Sequence, residues 1–147
     1  MDITSRYGVD RRLMEIEITE RVGDIERETL STIGLQIAEL GFPLSLDDFG
    51  SKYSSMSMLS VLKFQVVKLD RSLVYDLVSH TESRIVARHM LDMCRDLGIA
   101  CVAEGVETRE QLHILQEMGC IAIQGYLFSR PLPPDAFEKF AGDFFGE

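Results

Sequence analysis

The chain has 147 residues, 46% of them hydrophobic and 27% charged, and a formal net charge of −9. That is the composition of one globular domain, with no apolar run long enough to span a bilayer and no signal-peptide pattern at its start. The acidic balance argues against binding duplex nucleic acid, which takes a basic footprint, but not against a small phosphorylated ligand held through metal ions.

Residues 1–9 read as the tail of a helix, and residues 13–18 as a strand ending in Thr19-Glu20. Leu30, Ile33, Ile37 and Leu40 then recur at helical spacing. Gly41 follows at the position where a helix ends on positive φ, a conformation glycine adopts without strain. Phe42, Leu44 and Leu46 lead into Asp47-Asp48, and residues 64–69 form a strand that precedes Asp70. Val86, Met90, Met93 and Leu97 mark another helix, closed by Gly98, and a short apolar run then reaches Glu104. Thr108-Arg109-Glu110-Gln111 is a capping box, opening a helix with Leu112, Leu115 and Met118 on its inner face. Gly119 and a last apolar run lead to Gln124, and residues 134–140 start a final helix.

Three of these stretches, 38–48, 95–105 and 116–126, share one grammar: helix end, glycine, apolar run, then a polar residue five or six positions after the glycine. The apolar runs lack clean alternation, as expected of parallel strands covered on both faces. Strand and helix alternate about five times with no Pro/Gly/Ser linker, which predicts a parallel α/β protein. Cys94, Cys101 and Cys120 have no metal-ligand spacing and read as buried thiols of a cytosolic protein.

Parallel α/β folds bind ligands at the carboxyl ends of their strands. Those ends carry Glu17 and Glu20, Asp47 and Asp48, Lys68 and Asp70, Glu104 and Glu107, and Gln124. Clustered carboxylates repel unless a cation neutralises them, and Mg²⁺ or Mn²⁺ with oxygen ligands is the economical solution. Asp47 and Asp48 suit two ions over a phosphodiester, with Lys68 orienting or deprotonating the attacking water. Lys68 could instead pair structurally with Asp70 or a rim carboxylate. A sugar or small-acid enzyme on the same scaffold is the rival reading.

These segments resemble the EAL family of cyclic di-GMP phosphodiesterases. EIEITE (15–20) looks like that family's ExxTE strand end, and DDFGSKYSS (47–55) like its DDFGxGYSS loop. VVKLD (66–70), VAEGVET (102–108) and QGYLFSRPLP (124–133) look like its KID, AEGVE and QGYxFSxP motifs. The resemblance implies a partial TIM-like (β/α) barrel, with about five parallel strands of eight. It implies hydrolysis of cyclic di-GMP to linear pGpG with Mg²⁺ or Mn²⁺, in a bacterial cytoplasmic protein that upstream domains could attach to a membrane. Glu17 and Asp47 would be metal ligands, and Asp48 would serve the second metal. Lys68 would position or activate the water, with Glu104 also in the catalytic group. Glu107 would support metal and ligand, Gln124 would lie at the rim, and Glu20 would hold the loop after Asp48. Tyr53 and Arg130 would either touch a nucleotide or serve packing.

Two departures qualify the resemblance. Neither the Glu-Ala-Leu strand nor the strand carrying an asparagine ligand occurs in residues 1–147, which read as the carboxyl-terminal portion of one EAL domain. A barrel cut open exposes strand edges and apolar surface. The expectation is therefore weak or absent activity, and a homo-oligomer or dependence on the missing amino-terminal segment. The alternative is a degenerate, non-catalytic module that binds cyclic di-GMP or a protein partner, or that dimerises. Second, Lys52 replaces the loop glycine, either pointing to solvent, or impairing binding of the second metal or altering dimer coupling.

Overall fold

The computed structural model describes residues 3–19, 25–51 and 56–146. Glu20, Lys52 and Tyr53 lie outside the described residues, and so do the expectations attached to them. The chain opens with α1 (Ile3–Tyr7), β1 (Ile16–Thr19), α2 (Arg27–Glu39) and β2 (Leu44–Phe49). It continues through β3 (Val66–Leu69), α3 (Arg71–Asp76), α4 (Thr81–Asp96) and β4 (Ala100–Ala103), to α5 (Arg109–Glu117), β5 (Ala122–Ile123) and α6 (Pro134–Phe145). Short 3-10 turns cover Arg11–Leu13 and Met56–Ser60.

The five strands form one parallel sheet in the order β1-β2-β3-β4-β5. Each strand thus lies beside its successor, which is the arrangement of a sector of a TIM-like barrel. Gly41, Gly98 and Gly119 close α2, α4 and α5 at φ of 84, 70 and 82°. That single device returns the chain three times to the amino end of the next strand.

The two faces of the sheet differ. Leu44 and Leu46 of β2, Val67 and Leu69 of β3, and Cys101 and Ala103 of β4 are buried. The residues between them include Ser45, Asp47 and Lys68, and Glu17 pairs with Ser45 in the register. The strands therefore alternate more than their apolar composition suggested. A period of two sends alternate side chains to opposite faces, and the second face is polar toward the carboxyl ends.

Two helices sit differently from the expected faces. In α2, Leu30 and Gly34 are buried, whereas Ile33 and Leu40 are exposed. Gly34 lies so close to the Leu62 side chain that an added Cβ would overlap it. In α4 the buried set is Ala87, Met90, Leu91 and Cys94, with Val86 and Leu97 turned outward. Small residues at both seams let the helices approach closely, so size selects the contact face where hydrophobicity alone does not.

Cys94, Cys101 and Cys120 are free and buried. The neighbouring Cys94 thiol and burial both push Cys101 up, and burial pushes Cys120 up. Thiols held protonated in this way are poor nucleophiles and serve as packing groups.

Candidate functional site

The polar rim is built by backbone bonds that run on past the strands. Asp70 N–H donates to Phe49 O at 2.9 Å, Glu104 N–H to Leu69 O at 3.3 Å, and Gln124 N–H to Ala103 O at 2.8 Å. These bonds set successive strand ends side by side, so Lys68, Glu104 and Gln124 reach one edge of the sheet.

Asp47 and Asp48 occupy an irregularity. Leu46 pairs with Val67 but Phe49 pairs with Leu69, so β2 carries one more residue than β3 across this interval. Such a bulge bends the strand and re-aims its side chains. Asp48 has φ of 57°, the one non-glycine residue at positive φ among the described residues. The two acids are thereby directed differently although adjacent in sequence.

Lys68 is the hub. Its Nζ donates to Glu17 Oε1 at 2.6 Å and lies 3.1 Å from Glu104 Oε1 and 3.9 Å from Asp47 Oδ1. Four successive strand ends thus place three carboxylates around one ammonium. Burial works to lower the Lys68 pKa, but the hydrogen bonds to Glu17 and Glu104 and their charges outweigh it, and the net shift is upward. Asp70 is not a partner of this lysine. Its carboxylate accepts from Ser72 N–H at 2.9 Å and caps α3.

The donor set suits a hard cation. Asp47 Oδ1 is buried with no hydrogen-bond partner among the described residues, and its ion pair to Lys68 is long. Apart from the Lys68 ammonium, the groups brought to the cluster are the carboxylates of Glu17, Asp47 and Glu104, the ligand type that Mg²⁺ and Mn²⁺ prefer. The set is partial: among the described residues, no three His, Cys, Asp or Glu side chains are grouped closely enough to cage an ion.

Glu104 also borders a cavity of about 490 Å³ together with Glu107, Gln124, Arg71 and Arg130. The capping box on α5 anchors its floor: the Gln111 side-chain oxygen accepts from Glu107 N–H at 2.8 Å and Thr108 N–H at 3.0 Å. Val106 N–H donates to Gln124 O at 3.1 Å and Leu127 N–H to Val106 O at 3.0 Å, which clamps the loop after β4 to the loop after β5. Glu17, Asp47, Lys68 and Glu104 are therefore brought together, while Glu104, Glu107 and Gln124 share the cavity. Asp48 stands at the bulge beside them. Sequence reasoning missed Arg71 and Gly105; the signal was an arginine directly after a strand-end aspartate.

The EAL domain family model matches residues 2–131. The chain belongs to the EAL domain family. The cyclic di-GMP phosphodiesterase NbdA of Pseudomonas aeruginosa is 39% identical over 133 residues, which are 90% of this chain and 17% of that protein. The crystal structure of the EAL domain of Mycobacterium smegmatis DcpA superposes with a TM-score of 0.89 at 32% identity, across 96% of this chain and 63% of that one. A Klebsiella pneumoniae BlrP1 manganese/cyclic di-GMP complex superposes with a TM-score of 0.81 at 34% identity, across 86% of this chain and 32% of that one. The chain thus spans a minor part of its curated relatives. Among the described residues no helix is long and apolar enough to cross a membrane.

Proposed function

We propose that this EAL chain binds cyclic di-GMP at the rim formed by Glu17, Asp47, Lys68 and Glu104, and supplies part of a metal-dependent phosphodiesterase site. The observation that carries the reading is the convergence of those four side chains, from four successive strands, on an edge that continues into the cavity. Relatives named as cyclic di-GMP phosphodiesterases and an EAL neighbour solved with manganese support it.

Glu17, Asp47 and Asp48 are the residues that would hold Mg²⁺ or Mn²⁺. A bound divalent ion would supply charge for the phosphodiester oxygens and acidify a water. Lys68, whose pKa is raised, serves as a fixed ammonium that positions groups by charge and hydrogen bonding rather than as a proton acceptor. Glu104 holds that ammonium on the cavity side. Glu107 and Gln124 place polar groups where the rest of the dinucleotide lies. We propose that the chain supplies the carboxyl-terminal portion of such a site and hydrolyses the dinucleotide only weakly by itself.

Release of linear pGpG from cyclic di-GMP with Mg²⁺ or Mn²⁺ is the direct test. Asp47→Asn is expected to lower release at least about tenfold, because the amide removes the charge of a proposed metal ligand. Equal release by both proteins would refute the assigned role of Asp47. Binding without release favours the non-catalytic alternative.

The outer strands β1 and β5 and the apolar side chains of Ile121, Phe137, Phe144 and Phe145 are covered, in this reading, by further barrel strands or by a second copy. Light scattering of the 147-residue chain at micromolar concentration is expected to give a mass above one chain. A mass of one chain throughout would count against self-association.

A further inference from the structure

Three polar side chains are buried among the described residues, and two of them are bonded. Thr4 Oγ1 accepts from Arg11 Nε at 3.1 Å, and the Gln111 side-chain oxygen serves the capping box. Ser45 is the third, at 0% exposure, and its Oγ has no hydrogen-bond partner among the described residues. Asp47 Oδ1 is in the same condition. A buried hydroxyl and a buried carboxylate oxygen are each costly without partners, so two such atoms on one strand call for a common explanation.

The strand order shows how Ser45 comes to be buried. It pairs with Glu17 of β1 on one side and with Val66 of β3 on the other. Lys68 of β3 donates to Glu17 Oε1 at 2.6 Å, so this bond crosses over β2. It joins side chains whose strands lie about 10 Å apart. On the same face of the sheet, Val66 and Val102 are only half-buried and Ala100 is exposed. Ser45 lies beneath the ion pair, and serine is small enough to let the two long side chains meet above it. A period of two puts Asp47 on that same face, one step nearer the rim.

Residues two apart on a strand have Cα atoms about 6.6 Å apart, and one water with bonds of about 2.8 Å on each side spans up to about 5.6 Å between oxygens. The chemistry is complementary. A carboxylate only accepts, a hydroxyl donates and accepts, and a water donates to the first while accepting from the second. Lys68 and Glu17 close the place from above, giving the polar surroundings that buried waters have.

We propose that Ser45 is a positioning residue: beneath the Lys68–Glu17 bridge its hydroxyl holds one buried water against Asp47 Oδ1, and so fixes the aim of the Asp47 carboxylate. The inference rests on the proposed role of Asp47 as a metal ligand and adds the group that orients it. Ser45 itself touches neither metal nor dinucleotide.

The test is a double-mutant cycle on the 147-residue chain, with Ser45→Ala, Asp47→Ala and the pair, each read by urea denaturation and by Mn²⁺ titration calorimetry. Ser45→Ala is expected to lower the urea midpoint, with the folding constant falling about fivefold, and to weaken Mn²⁺ binding at least about tenfold. In the Asp47→Ala background the same change should leave the folding constant within about twofold. A crystal structure of the metal-free chain should show one water within hydrogen-bond distance of both oxygens. A higher urea midpoint in Ser45→Ala would overturn the proposal, since it would mean that the hydroxyl is unpartnered. So would equal losses in the two backgrounds, or the two oxygens without a shared water. Lower stability with unchanged Mn²⁺ affinity would overturn the positioning role. Failure of wild type to bind Mn²⁺ would sink the proposed metal site and the positioning role with it, whereas binding with uncoupled stabilities sinks this inference alone.

Discussion

Lys68→Met is expected to destabilise the fold by roughly 2 kcal/mol at neutral pH, a large share of a typical domain's stability. Methionine fills similar space but leaves Glu17, Asp47 and Glu104 without their shared cation. Breaking a fully buried ion pair costs about 3–5 kcal/mol. The figure here is lower because Glu17 is 47% exposed and can turn toward water. Asp47 and Glu104, at 22 and 21% exposure, have less freedom to do so.

The pH dependence has a definite sign. Folding raises the Lys68 pKa above the ordinary lysine value of 10.5, so the unfolded chain loses this proton first as pH rises. The stabilisation is therefore fully present below about 10.5 and lost as pH climbs through the folded value. Urea unfolding of the two proteins should show a constant gap from pH 7 to about pH 9, closing only at higher pH. A gap that closes between pH 7 and 9 would show that the ammonium is not held in this way. The proposed cyclic di-GMP binding should also weaken in the variant, since the carboxylates no longer have a fixed counter-charge.

The three helix-closing glycines were legible from the amino-acid sequence. Gly41, Gly98 and Gly119 each lie past an amphipathic run, and each takes the positive φ that local chemistry demands. The capping box at Thr108 is likewise a local feature, and it forms as read. The strand-end acids were legible as a group because parallel strands send their carboxyl ends to one rim. Less legible was which acid faces which. Glu17 meets Lys68 across 51 residues of sequence, a contact set by strand order and register. The bulge that separates Asp47 from Asp48 arises from a mismatch with β3, so β2 alone contains no sign of it. Asp70 could be read as a partner of Lys68 because both are charged and near in sequence, yet a helix N-terminus two residues later captures its carboxylate. The buried faces of α2 and α4 were hidden for a steric reason: Gly34 and Ala87 have little hydrophobic signal but permit close approach.

Gly125→Ala and Gly142→Ala, chemically the same change, are expected to act in opposite directions. Gly125 packs against the Val106 backbone so closely that a methyl group would overlap the Val106 carbonyl oxygen and nitrogen. Val106 is itself fully buried, between bonds to Gln124 O and from Leu127 N–H. The loops after β4 and β5 must part to admit the methyl, straining or breaking those bonds. Overpacking of this kind costs typically 1–3 kcal/mol, and disrupted backbone bonds add about 1 kcal/mol each, so a loss of about 3 kcal/mol is expected. Because those loops carry Glu104, Glu107 and Gln124, the proposed cyclic di-GMP binding should weaken at least about tenfold, the equivalent of 1.4 kcal/mol. Gly142 lies inside α6 with nothing within 4 Å of an added Cβ. Alanine there removes the conformational cost of a helical glycine and should stabilise the chain by up to about 1 kcal/mol, with ligand affinity unchanged. Urea denaturation of both variants, each with a cyclic di-GMP titration, separates the cases. A Gly125→Ala protein as stable as wild type would mean that the two loops are not clamped through Val106, and that the cavity they frame does not depend on the glycine.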